Sequence, residues 1–147
     1  MSNQFRLTLA LSLCGSLAFI AGAAILWFGP ATYASPALQA ISTCAAIILS
    51  FRGGIQAGIG VSIGSTAPKS AQSIYLLSIA PALLAWAMLF IDAPSARLIV
   101  AIFLFVFVWV IDALLLLQKL IPDWHFRVRS VTTCVTVAAL MAALIRT

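Results

Sequence analysis

Ser50-Phe51-Arg52-Gly53-Gly54-Ile55-Gln56-Ala57-Gly58 is the stretch whose reading decides the fold. It sits in the middle of an apolar run over 37–63. That run exceeds the roughly 20 residues a bilayer-spanning helix needs. Yet its centre carries a guanidinium, a carboxamide and a cluster of glycines. An arginine at bilayer centre costs about 2.5–3.5 kcal/mol on insertion scales. It must face the interior of a bundle and find partners there. The stretch therefore predicts a central membrane helix with one polar face and close neighbours.

The rest of the chain fits that frame. Of 147 residues, 64% are hydrophobic and 7% charged, against about a quarter charged in soluble domains. There is too little polar surface to cover a water-facing globule. The net charge of +5 comes from eight Lys and Arg against three acidic residues, all Asp. The cations are scattered at segment ends, without a basic patch interleaved with aromatics, which excludes nucleic acid as a partner. Cys14, Cys44 and Cys134 lie inside apolar runs with no metal-ligand spacing, and read as small membrane-embedded thiols.

Working outward, the chain reads as an all-α, polytopic bundle: a single transmembrane domain over 1–147 with five spans, near 7–28, 37–63, 72–91, 98–120 and 129–145. Arg6, the first apolar run and Ala21-Gly22-Ala23 mimic a secretory signal, but the run continues to Phe28, so it is read as an uncleaved span. Gly29-Pro30 and Ser35-Pro36 mark the first loop, and Pro36 can open the second span. Pro81 should kink the third, its freed carbonyl answered by a hydroxyl such as Ser78 or by a neighbouring helix. Trp124, His125, Arg127 and Arg129 form an amphiphilic connector expected to anchor at the membrane surface. With the N-terminus inside, Arg6, Lys69, Lys119, Arg127 and Arg129 fall on the cytoplasmic side and Arg97 and Arg146 opposite. The positive-inside rule then gives N-in, C-out.

Helix geometry proposes a partner for Arg52. From Pro36 to Arg52 the second span descends roughly 24 Å, and from Arg97 to Asp112 the fourth descends roughly 22 Å from the same side. Arg52 and Asp112 are thus expected at one depth, as a buried ion pair or polar site. Gln56 stands one turn from Arg52 on the same stripe, and Thr132, Thr133 and Thr136 can add hydroxyls. Two stripes of small residues flank this face. One is Gly53, Ala57, Gly60 and Gly64; the other is Gly54, Gly58, Ser62 and Ser65. Both match the small-xxx-small spacing that lets helix backbones approach. A ligand's approach to bare backbone is the functional alternative. His125 stands alone, so bis-histidine haem ligation within one chain is excluded, and no metal set or nucleophile arrangement is apparent.

Three motifs together resemble a known family: Ile48-Leu49-Ser50-Phe51-x-Gly53-Gly54-x-x-x-Gly58, then Ser78-x-x-Pro81-x-Leu83-x-Ala85-Trp86, then Asp112 followed by Pro122-x-Trp124-x-x-x-Val128-Arg129-x-Val131-Thr132. They are similar to a domain-of-unknown-function family of small bacterial and mitochondrial inner-membrane proteins that includes transmembrane protein sixty-nine. The resemblance covers about 41–136. It implies a five-span protein of the bacterial cytoplasmic (inner) membrane and no particular chemistry. That family often carries an aliphatic residue at position 52, a basic residue or His at 56 and Trp at 57. Arg52 and Gln56 depart from this, as though the cation had moved one helical turn.

Two expectations about function follow. The first is a non-catalytic accessory or assembly subunit of a larger respiratory or photosynthetic membrane complex, with lipid and other membrane subunits as partners. The alternative is a small transporter or a quinone- or lipid-binding protein using Arg52, Gln56 and Asp112. A cofactor is not indicated by any motif.

Overall fold

The structure is a computed structural model and describes residues 3–64 and 68–147. Five long helices account for the architecture: α1 (Asn3–Phe28), α2 (Ala34–Ile63), α3 (Pro68–Met88), α4 (Pro94–Leu117) and α5 (Asp123–Leu144). A single 3-10 turn, Ala31–Tyr33, joins α1 to α2. All five are long and apolar enough to cross a membrane. Exposed Leu, Ile, Val and Phe cover the outside of the bundle, as a lipid-facing surface requires.

The helices begin before the apolar segments do, and α3, α4 and α5 end short of them. A span ends for hydropathy where polar residues begin, but backbone hydrogen bonding continues through them. Thus α4 starts at Pro94, in the first turn where a missing N–H costs nothing, and ends at Leu117 rather than near 120. The largest correction lies in the connector. Lys119 takes a left-handed φ of 58°. Its N–H bonds the carbonyl of Leu116, and that of Leu120 bonds the carbonyl of Leu115. This is a Schellman ending, with Lys where Gly is usual. Pro122 then caps α5, and Asp123 sits in the first turn, favourable to the helix dipole. The segment expected as an interfacial connector is therefore the first turns of α5.

Packing gives the bundle its plan. α1 packs on α2 and α5, and α4 packs on the same two, closing a ring in the order α1, α2, α4, α5. α3 lies outside the ring against α2 and α4. Away from the α4–α5 connector the ring is filled by Phe19, Ile41, Leu49, Leu98, Phe105 and Leu140, all nearly inaccessible. Phe19 meets Phe105 edge-to-face at 5.8 Å between centroids. Near the connector a smaller cluster joins Ile74, Ile111, Leu115 and Ile121.

The two glycine stripes separate. A Cβ at Gly53 would run into the backbone carbonyl of Ser78, and one at Gly60 would stand 3.5 Å from the carbonyl of Ala71. Gly53 therefore lets α3 lie against α2, as the sequence suggests, while Gly60 faces α3 at ordinary contact distance. Gly54 and Gly58 do not pack: both are exposed, and an added Cβ meets nothing within 4 Å. One residue along a helix is a rotation of about 100°, which turns this stripe off α3 and out of the bundle. Ser65, its last member, lies outside the described residues. Gly64 also departs from expectation, since its nearest neighbours are carbonyls of its own last turn. α3 runs on through Pro81, and the Ser78 hydroxyl donates to the carbonyl of Tyr75 at 2.7 Å.

Candidate functional site

A polar layer crosses the ring just on the connector side of Phe105. α2 supplies Arg52 and Gln56, α4 supplies Asp112, α5 supplies Arg129, Thr132, Thr133 and Thr136, and α1 supplies Ser16. All are buried. Arg52 and Asp112, expected at one depth, both belong to this layer, but it is Gln56, one turn from Arg52, that Asp112 meets. Their pairing is different from that expected.

Asp112 does not pair with Arg52. Its Oδ2 lies 3.4 Å from Arg129 Nε, the one salt bridge among the described residues. Its Oδ1 accepts a 3.1 Å hydrogen bond from Gln56 Nε2. The reason is the hairpin. Asp112 precedes the end of α4 by about as many residues as Arg129 follows the start of α5, so the two meet across neighbouring helices. Arg129 is thus a buried partner, 7% exposed, and not a surface anchor. Of the other expected anchors, Arg127 is exposed and Trp124 half-buried, with Trp124 edge-to-face on His125 at 5.7 Å.

Arg52 turns to α5. Its Nη1 donates to Thr133 Oγ1 at 2.7 Å and its Nη2 to Thr132 Oγ1 at 3.2 Å. The Thr132 hydroxyl in turn lies 3.0 Å from the carbonyl of Val128, which uses its proton and leaves a lone pair toward the guanidinium. Phe105 lies under the cation, 5.2 Å from Cζ to ring centroid, a favourable cation–π distance. Ser16 and Thr136 share a hydrogen bond of 3.3 Å, tying α1 to the same layer.

Beside this layer lies a cavity of about 470 Å³ between α1, α2 and α5. Its polar wall includes Arg52, Arg129, His125, Ser12, Ser16 and Thr136. Its apolar wall includes Leu11, Ile48, Phe51 and Ile55. Phe51 is 69% exposed and Leu11 65%, so the mouth lies on the outer flank between α1 and α2. Two buried nitrogens of Arg129, Nε and Nη2, and the Nε2 of His125 make no hydrogen bond.

This arrangement sits within a match that covers nearly all of the chain. The model of a protein family of unknown function, DUF3429, matches residues 5–145. The chain belongs to the DUF3429 family. No curated protein and no solved structure matches it. The DUF3429 assignment agrees with the resemblance carried by the glycine, Pro81 and Pro122–Thr132 motifs, and brings no activity with it.

Two parts of this site were not read from the sequence. Arg129 as the partner of Asp112 was legible in principle, by folding the chain between Leu120 and Ile121 and counting eight residues outward on each side. Ser16 and the cavity had no such signal, because they depend on where α1 docks.

Proposed function

We propose that this chain is a non-catalytic, multi-pass membrane protein that binds an amphiphile in the cavity between α1, α2 and α5. One observation carries the reading: a cavity with a buried polar wall, an apolar wall and a mouth on the lipid-facing flank. Its volume of about 470 Å³ falls in the range of small-molecule sites. A quinone or lipid entering sideways would leave its tail along Leu11, Phe51 and Ile55 and bring its headgroup to the arginines. We place the protein in a bacterial cytoplasmic membrane with the N-terminus inside. With Arg129 removed from the surface count, Arg6, Lys69, Lys119 and Arg127 still outnumber Arg97 and Arg146.

Native mass spectrometry of protein extracted in a mild detergent tests this. A Cβ at Gly15 would lie 3.5 Å from Ile48 Cδ1, so a phenylalanine there fills the cavity. The wild type should carry an amphiphile adduct, Gly15→Phe should lose it, and Gly54→Phe on the outer face should keep it. A wild type without an adduct, or one unaffected by Gly15→Phe, overturns the reading.

The accessory-subunit reading retains an observation of its own. Gly54 and Gly58 present bare backbone on the outer face of α2, with no atom within 4 Å of an added Cβ. A partner helix could approach there closely. Migration on a native gel as a larger complex, abolished by Gly54→Leu, would support this reading. A free monomer in both cases counts against it.

A further inference from the structure

We infer that the cavity takes an oxyanion headgroup, a carboxylate or a phosphate, held between the guanidiniums of Arg52 and Arg129. This rests on the reading of the cavity as an amphiphile site and names the chemical class of its occupant.

The charges of the layer do not balance. Arg52 and Arg129 contribute two cations, and Asp112 is the only carboxylate among them. Its oxygens are engaged by Arg129 Nε and Gln56 Nε2. Arg52 is met by two threonine hydroxyls and the face of Phe105, with no carboxylate in ion-pair contact. An isolated buried cation costs several kcal/mol even after relaxation. A neutral quinone carbonyl can accept a hydrogen bond but does not change that balance. An oxyanion does, and it matches the fork of a guanidinium in a bidentate manner.

The donors also face the right place. Arg129 lines the cavity with a side chain only 9% exposed, and its buried Nη2 has no hydrogen-bond partner. Arg52 lines it from the α2 side. The Ser12 hydroxyl lies along the same wall and can donate to a further oxygen, beside Ser16 and Thr136, whose protons are used by the Ser12 carbonyl and by Ser16. His125 Nε2, also buried without a partner, completes the polar end. The threonines thus hold Arg52 in place between occupants, and the headgroup competes for its N–H groups.

The test compares ligands on the purified full chain in a neutral detergent. The probes are oleate, dodecyl phosphate, a decyl-tailed neutral quinone and inorganic phosphate, read by ligand-induced thermal shift and native mass spectrometry. One or both of the anionic amphiphiles should bind about tenfold or more tightly than the quinone, the scale of one charged hydrogen bond. Arg52→Gln should erase that preference, weakening the anions far more than the quinone, and Arg52→Lys should keep most of it. If the quinone binds as tightly as the anions, the oxyanion inference falls and the amphiphile reading stands. If inorganic phosphate binds through Arg52 and no tailed ligand does, the inference stands with an aqueous source and the amphiphile reading falls. If no probe binds, both fall. Should Arg52→Gln fail to fold, the wild-type series decides alone.

Discussion

Asp112 and Arg129 face each other across the α4–α5 hairpin, with Oδ2 and Nε 3.4 Å apart and both side chains almost wholly buried. Breaking such a pair from one side leaves a bare charge, at about 3–5 kcal/mol. Asp112→Leu and Arg129→Leu should each lower the unfolding temperature in detergent steeply. The double variant should recover much of the loss, because two apolar residues of similar size replace a paired charge. The same cycle between Asp112 and Arg52 should show a much smaller coupling. A larger coupling with Arg52 than with Arg129 would refute the pairing.

The bond from Arg52 Nη1 to Thr133 is the shortest that this guanidinium makes, at 2.7 Å. Thr133→Val keeps the shape and removes the acceptor. The expected loss is about 1.5–3 kcal/mol, the worth of a hydrogen bond to a charged group. A bound anion would replace the acceptor, so saturating oleate or dodecyl phosphate should recover part of it. Thermal melts with and without ligand check both statements.

Gly53 and Gly54 are adjacent in sequence and opposite in consequence. Gly53→Ala forces α2 away from the Ser78 carbonyl, with an expected cost of about 1–3 kcal/mol for overpacking. Gly54→Ala meets open space and gains up to about 1 kcal/mol of helix propensity. Paired melts of the two variants decide this. Equal effects of the same sign would contradict the α2–α3 contact.

Lys119 holds a φ of 58°, a conformation costing a non-glycine residue about 1–2 kcal/mol. Lys119→Gly should raise stability by about 1 kcal/mol without changing ligand binding. A destabilised variant would mean that α4 does not end in this turn.

Much of the fold was legible because lipid leaves few choices. Five apolar runs and their loops follow from length and turn residues, and counting 1.5 Å per residue brings Asp112 to within about one helical turn of Arg52. Helix ends were less legible, because hydropathy tracks the solvent and not the backbone. At Asp123–Arg129 that difference mattered: a segment read as surface anchor is the first turns of α5, and Arg129 moves from interface to core. The glycine stripes show the same limit. Spacing marks both as suited to close packing, but which one meets α3 depends on how α2 is rotated in the bundle. The cavity was out of reach for sequence, since its walls come from three helices far apart in the chain.

The most direct measurement is a high-resolution density map of the protein in nanodiscs made from the lipids of its native membrane. Elongated density is expected in the cavity, with its head within hydrogen-bonding distance of Arg52 and Arg129 and its tail along Phe51 and Leu11. A cavity closed by side chains, or one holding only water, would contradict the account.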